Sequence, residues 1–405
     1  MNVLEEYKRK LRTPEQAVQV IKSGDWIDYT TSLGQPILLD RALAARRDEL
    51  TDVKIRGNLV FGPLEVAECD PSQEHFIYHS WHCSSYERSL CDRGLCYYIP
   101  MVFHLNSDYY KHFLTVNVAM ACVTPMDRHG YFNLSTSTGV SGQILRKADI
   151  VILEVNENLP KLYGGYDECI HISDVDYVVE GHHDPFPDAP VPKITDVDRK
   201  IAENLLPYLV DGMTLQLGIG SLPHALGNLI AESINRGKSV LGVAVGSNEL
   251  YDWIDENPSV AVYPLSYVNN PEVIGRIDNM VSINSCLEVD LYGQVSSESA
   301  GTRQISGTGG QLDFLTGAST SRGGKAFICM SSTFTDRNNM QQSRIVPRFG
   351  GDIITSPRSQ VYYLATEYGV VNLIGKSTWE RAEAIISLAH PMFRDQLVRA
   401  AQAQH

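Results

Sequence analysis

The sequence predicts an α/β protein, with two tandem α/β domains that each hold a mostly parallel sheet. Three observations carry this prediction. The chain has 405 residues, more than one hydrophobic core comfortably serves. Strand-like apolar runs alternate with amphipathic helical patterns through both halves, as parallel sheets require. Between the halves, four prolines fall within the eight residues from Pro185 to Pro192, a density that continues neither a helix nor a central strand. The expected domains are therefore 1–185 and 196–405.

The first half supplies the runs "GDWIDYTT", "VKIRGNLVFG", "VNVAMACVTP", "ADIVILEVN" and "CIHISDVDYVVE", with the helical "QPILLDRALAARRDEL" ahead of the second. After the prolines, "DVDRKIAENLLPYLV" has helical apolar spacing, with Asp196 or Asp198 near its start as a helix cap would need. The runs "MTLQLGIG", "KSVLGVAVG", "VAVYPLSYV", "NMVSINSCLEVDLYG", "KAFICMSS" and "VYYLATEYG" follow. They are the expected strands of the second domain.

Composition narrows the function classes. The residues are 43% hydrophobic and 20% charged, with a formal net charge of −14. Such a balance fits a soluble globular protein and argues against a nucleic-acid surface. The eight cysteines, Cys69, Cys83, Cys91, Cys96, Cys122, Cys169, Cys286 and Cys329, are scattered without a C-x-x-C pair. They read as reduced, mostly buried thiols. The charged start "MNVLEEYKRKLRTPEQAV" has no apolar leader core, and no apolar run reaches membrane-spanning length. A cytoplasmic, non-membrane protein is expected.

Two glycine-rich stretches stand out. In "GIGSLPHALG", Gly218 and Gly220 follow a strand and precede a helix beginning near Leu222. Backbone N–H groups at such a start can hold an anion or a polarised carbonyl. The pattern is not G-x-G-x-x-G, with His224 in the neighbourhood where a third glycine would be expected, so a dinucleotide is not indicated. "SGTGGQLDF" holds Gly307, Gly309 and Gly310 without the G-K-[ST] ending of a P-loop. Just before a later strand, Arg322 and Lys325 in "SRGGKAFIC" either meet phosphates or belong to a solvated turn. "GHHDP" offers His182, His183 and Asp184. Neighbours on extended chain point opposite ways, so no metal is expected. Asp127 and His129 in "PMDRHGYFN" read as a turn or a cleft wall, without a G-x-S-x-G nucleophile motif.

Taken together, the stretches "VAMACVTPMDRHGYFN", "EVNENLP", "HISDVDYVVEG", "LQLGIGSLPHA", "DNMVSINSCLEVDLYGQVSSES", "ISGTGGQLDF", "SRGGKAFICMSSTF", "ATEYGVVNLIGKSTWERAEA" and "LAHPMFRD" resemble one family. It is that of butyryl-CoA:acetate and 4-hydroxybutyrate CoA-transferases, within the acetyl-CoA hydrolase/transferase group. The resemblance runs nearly the length of the chain and implies a CoA-transferase-like fold for both domains. It implies that Gly218, Ile219, Gly220, Ser221 and Leu222 line a coenzyme A site. Cys286 or Leu287, Gly309 and Lys325 are implied as further CoA contacts. Acyl-CoA and short-chain carboxylates are the implied partners, with no metal, in a homo-oligomer.

The family's chemistry uses a glutamate nucleophile in an H-[ST]-E-M strand. Here "NLIAES" passes directly to "INRGKSVLGVAV", so that glutamate would fall between Ser233 and Ile234 and no catalytic residue is identified. Glu232 matches a different family position. Either the protein carries the segment and transfers CoA by a ping-pong glutamyl-CoA route, or the segment is deleted and the chain binds CoA without transferring it. An acyl-CoA hydrolase on the same fold is a further alternative, and a dicarboxylate such as succinate or itaconate an alternative substrate. The stretches "TTSLGQP" and "NLVFGP" are expected in the pocket wall, with Val60 and Phe61 narrowing it if they face inward.

Overall fold

A computed structural model of the chain describes residues 2–186, 193–218, 237 and 239–403. They form two compact units, one of Met1–Val191 with Gly237–Val268 and one of Pro192–Arg236 with Asn269–His405.

The first unit is built on eight strands: β1 (Leu11–Arg12), β2 (Trp26–Asp28), β3 (Val53–Gly57), β4 (Phe76–Ser80), β5 (Tyr97–Tyr98), β6 (Val118–Val123), β7 (Ile150–Val155) and β8 (Tyr177–Glu180). Their order is β1-β8-β7-β6-β2-β3-β4-β5, and every neighbouring pair is parallel. Such a sheet must be covered on both faces, which is why β6 reads as the unbroken apolar run "VAMACV". Alternation divides that run. Val118 and Met120 enter one core beside Leu39, Leu43 and Phe76, and Ala119, Ala121 and Val123 enter another beside Trp81, Phe132 and Ile144.

Two helices of this unit matter below, α1 (Ile37–Ala44) and α2 (Ser85–Asp92). The start of α2 is fixed by a capping box, in which Ser84 and Glu87 bond each other's backbone N–H groups.

Residues 237–268 group with the first unit. Strands Ser239–Leu241 and Val260–Val262 pair in parallel. Ala244, Tyr251, Ile254, Val260 and Val262 share a core with Leu33, Cys122, Leu159 and Leu162 of the first unit. The proline-rich stretch marks where the chain leaves this unit, and local composition carries no sign of its return.

The second unit holds β9 (Thr214–Leu217), β10 (Met280–Ser285), β11 (Lys325–Cys329), β12 (Tyr363–Thr366) and β13 (Gly369–Asn372) in that order. The first four are parallel and β13 closes the edge antiparallel. Helices α3 (Asp196–Leu205) and α4 (Gln311–Thr320) cover opposite faces. Phe327 and Cys329 pack with Ile201 and Leu205 of α3, and Ala326 and Ile328 pack with Leu315 and Ala318 of α4. A capping box of Thr195 and Asp198 starts α3, so Asp198 closes the cap that Thr195 provides. Among the described residues, no helix is long and apolar enough to cross a membrane.

Candidate active site

In open parallel sheets ligands bind beyond the carboxyl ends of the strands. At that edge of the second unit, Gly218 follows β9, Cys286 follows β10 and Met330 follows β11. The Gly218 N–H donates to the Ile283 carbonyl at 2.9 Å. A Cβ at Gly218 would stand 3.3 Å from Asn284 Oδ1. Gln216 and Asn284 exchange amide hydrogen bonds, with Gln216 Nε2 to Asn284 Oδ1 at 3.3 Å and Asn284 Nδ2 to Gln216 Oε1 at 3.1 Å.

The Cys286 N–H donates to the Cys329 carbonyl at 3.0 Å. Burial pushes its thiol up to about 12, so the sulfur stays protonated near neutral pH and contributes shape rather than a nucleophile. Leu287 is held through its backbone, its N–H donating to the Ser296 carbonyl and its carbonyl accepting from Arg344 Nη1, both at 2.9 Å.

The second glycine stretch precedes α4. The Glu298 carbonyl accepts from the Ile305 N–H at 2.8 Å and the Ser306 N–H at 3.2 Å. The Thr308 hydroxyl donates to Glu298 Oε2 at 3.2 Å. Gly309 then adopts φ +58°, a left-handed conformation that side-chain-bearing residues adopt only at a cost. Gly310 is the N-cap of α4 and supplies no side-chain cap. Because α4 links the parallel strands β10 and β11, it runs antiparallel to them. Its amino end therefore stands at the same edge as Gly218 and Cys286.

Lys325 does not join this group. It opens β11, in register with Val281, and lies about 13 Å along the strand from Cys329 at ~3.3 Å per residue. Arg322, in the preceding turn, pairs with Asp278, its Nε donating to Oδ1 at 3.1 Å. Both cations sit at the amino edge of the sheet. The sequence already held the reason, since a residue just before a strand lies at the end opposite to the ligand edge. Ile219, Gly220, Ser221, Leu222, Glu232 and the Ser233–Ile234 junction lie outside the described residues.

Sequence reasoning missed the Gln216–Asn284 amide pair and the pairing of Ser332 with Glu367. The Ser332 hydroxyl donates to Glu367 Oε1 at 2.5 Å and its N–H to Oε2 at 2.9 Å. For the amide pair the available signal was a polar residue inside an apolar strand, as in "TLQL" and "SINS".

The first unit has its own polar carboxyl edge. Thr31 Oγ1 donates to Asn58 Oδ1 at 2.6 Å, and the Ser32 N–H donates to the Asn58 carbonyl at 3.0 Å. These contacts join "TTSLGQP" to "NLVFGP". Thr30, Ser32, Leu59 and Ser135 have φ between +52° and +57°, strain of the kind that packing must hold in place. Phe61 is 44% exposed, and Val60 is buried in the hydrophobic core.

The remaining motifs make local contacts in the first unit. His183 is buried with Nε2 2.8 Å from Glu154 Oε1, while His182 is exposed. Glu154 Oε2 also accepts the N–H groups of Leu38 and Leu39 at the start of α1, both at 2.9 Å. Asp127 Oδ1 accepts from the N–H groups of His129 and Tyr131 at 2.8 and 2.9 Å, which is the turn reading. The cysteines are not all scattered, since the sulfurs of Cys83, Cys91 and Cys96 lie within 4.8 Å of one another.

The fold and this edge define an α/β protein of two units with glycine loops at the ligand end of a parallel sheet. Residues 1–192 match the acetyl-CoA hydrolase/transferase N-terminal domain, and residues 246–401 match the C-terminal domain. The chain belongs to the acetyl-CoA hydrolase/transferase family, and it is a CoA-transferase of that family. It is 42% identical to a butyryl-CoA:acetate CoA-transferase of Anaerostipes caccae over 99% of this chain and 98% of the relative. It is 37% identical to a 4-hydroxybutyrate coenzyme A transferase of Clostridium kluyveri over 97% of each. Among solved structures, RipA from Yersinia pestis superposes with a TM-score of 0.90 at 32% identity, covering all of both chains. A 4-hydroxybutyrate CoA-transferase from Porphyromonas gingivalis gives 0.77 at 29% identity, covering 99% of this chain and all of the other.

Proposed function

We propose that this chain moves coenzyme A between short-chain carboxylic acids, of the butyrate–acetate or 4-hydroxybutyrate kind, through a glutamyl-CoA intermediate. The observation that carries the reading is the carboxyl edge of the second sheet, where Gly218, Cys286 and the amino end of α4 with its Gly309 loop stand together. It is joined to 42% identity with a butyryl-CoA:acetate CoA-transferase along nearly the whole chain.

In this reading a glutamate carboxylate attacks the thioester carbonyl, the C–S bond breaks and CoA leaves as thiolate. The thiolate attacks the glutamyl carbonyl of the resulting anhydride, and the donor acid departs as carboxylate. The acceptor carboxylate then attacks the glutamyl thioester and expels the thiolate. That thiolate takes the new acyl group from the second anhydride and restores the glutamate. Backbone N–H groups at a helix start suit the oxyanions that form in each addition. The glutamate is expected between Ser233 and Ile234. The alignment to the Anaerostipes caccae relative runs over 436 residues against 405 in this chain, so the relative carries residues that this chain lacks.

The test is an intact mass before and after acyl-CoA without acceptor acid. The reading expects a mass above the 45.0 kDa of these residues, and a further gain equal to one CoA joined as a thioester. A mass of 45.0 kDa with no adduct would contradict it.

A further inference from the structure

Three cysteines separated by seven and four residues meet in the first unit. Cys83 stands just ahead of the Ser84 cap of α2, Cys91 lies in α2 and Cys96 just ahead of β5. All are free thiols. Their sulfurs fall within 4.8 Å of one another, and Cys83 Sγ and Cys91 Sγ are 3.9 Å apart. Sulfurs sharing one ion at a metal–sulfur distance of about 2.3 Å stand about 3.8 Å apart in tetrahedral and about 4.0 Å in trigonal geometry. The Cys83–Cys91 separation falls at that spacing, and the Cys96 sulfur lies within 4.8 Å of both.

We propose that Cys83, Cys91 and Cys96 form a three-thiolate site for a soft, thiophilic metal ion, of the cadmium or monovalent-copper class. The donor set selects the class. Three sulfurs and no oxygen disfavour magnesium and calcium. Structural zinc takes four ligands, and among the described residues no fourth His, Cys, Asp or Glu joins the group. The buried Glu87 on the same helix is already engaged. Its oxygens accept from the Tyr78 hydroxyl at 2.8 Å, the Ser84 N–H at 2.8 Å and the Val60 N–H at 3.1 Å. Cys83 and Cys96 are buried while Cys91 is only partly so, which gives the ion a way in. Uptake replaces each thiol proton by a metal–sulfur bond and releases the protons to solvent, with no change of oxidation state.

The test uses the full chain, reduced and freed of metal, titrated with cadmium chloride and followed by sulfur-to-cadmium charge-transfer absorption. The expected result is saturation at one ion per chain, with three sulfur neighbours by X-ray absorption on the parent protein. Cys91→Ser should weaken binding by more than about 100-fold, beyond the loss of an outer-shell partner. Cys169→Ser, at an exposed cysteine outside the cluster, should leave it unchanged. An absence of saturable absorption, a shell of oxygen and nitrogen, or unaltered binding by Cys91→Ser would overturn the proposal. So would a Cys83–Cys91 disulfide in the untreated protein.

Discussion

Gly218 approaches Asn284 so closely that a Cβ would stand 3.3 Å from the amide oxygen, which is tied up with Gln216. Gly218→Ala must push that amide pair aside by a few tenths of an ångström, at a cost of about 1–3 kcal/mol. The strain falls at the ligand edge rather than in the cores above and below the sheet. We expect CoA affinity to fall about tenfold or more while the thermal midpoint moves by only a few degrees. Calorimetric CoA titration beside a melting curve checks both.

Gly309→Val acts through backbone rather than space. With φ at +58°, a side chain costs about 1–2 kcal/mol in that conformation, and a β-branched one more. The loop should leave its geometry and CoA binding should be lost, with the hydrophobic cores of both units unchanged. Parent-like CoA binding by a folded variant would show that this loop does not touch the coenzyme.

Lys325→Ala should leave CoA affinity as it is. The residue lies at the amino edge of β11, opposite Val281, and the ligand edge is about 13 Å away. A loss of affinity in the same titration would bring Lys325 back among the CoA contacts.

Asp40, buried on α1, is pushed up to about 7, chiefly by burial, against hydrogen bonds from Glu65, Tyr29 and Val66 that lower it. Between its ordinary value of 3.8 and about 7, the folded chain keeps a proton that the unfolded chain has lost. Its contribution to stability is therefore fully present below that window, falls as pH rises through it and is flat above. Urea melts from about pH 4 to about pH 8 should show this slope in the parent. Asp40→Asn should lack it, and an identical slope in the variant would exclude Asp40 as its source.

Much of this was legible because it is local. The run "VAMACV" announces a strand buried on both faces, and the glycines of "SGTGGQLDF" announce a tight loop ahead of a helix. The place of Lys325 at the amino end of its strand was legible too, while its expected role as a CoA contact came from the family resemblance. The return of residues 237–268 to the first unit depends on Val260 and Val262 packing against Leu159 and Leu162, a contact between distant segments. The meeting of Cys83, Cys91 and Cys96 depends on the path of the chain through α2. Spacing matches no metal motif, so only the fold could bring them together.

Label exchange reads out transfer of CoA from one acid to another. Butyryl-CoA is incubated with the protein and isotopically labelled acetate, and the acyl-CoA pool is separated and counted. Labelled acetyl-CoA should form in step with release of free butyrate and without net loss of thioester. Release of free CoA at a rate indifferent to added acetate, with no label in the thioester pool, would contradict it.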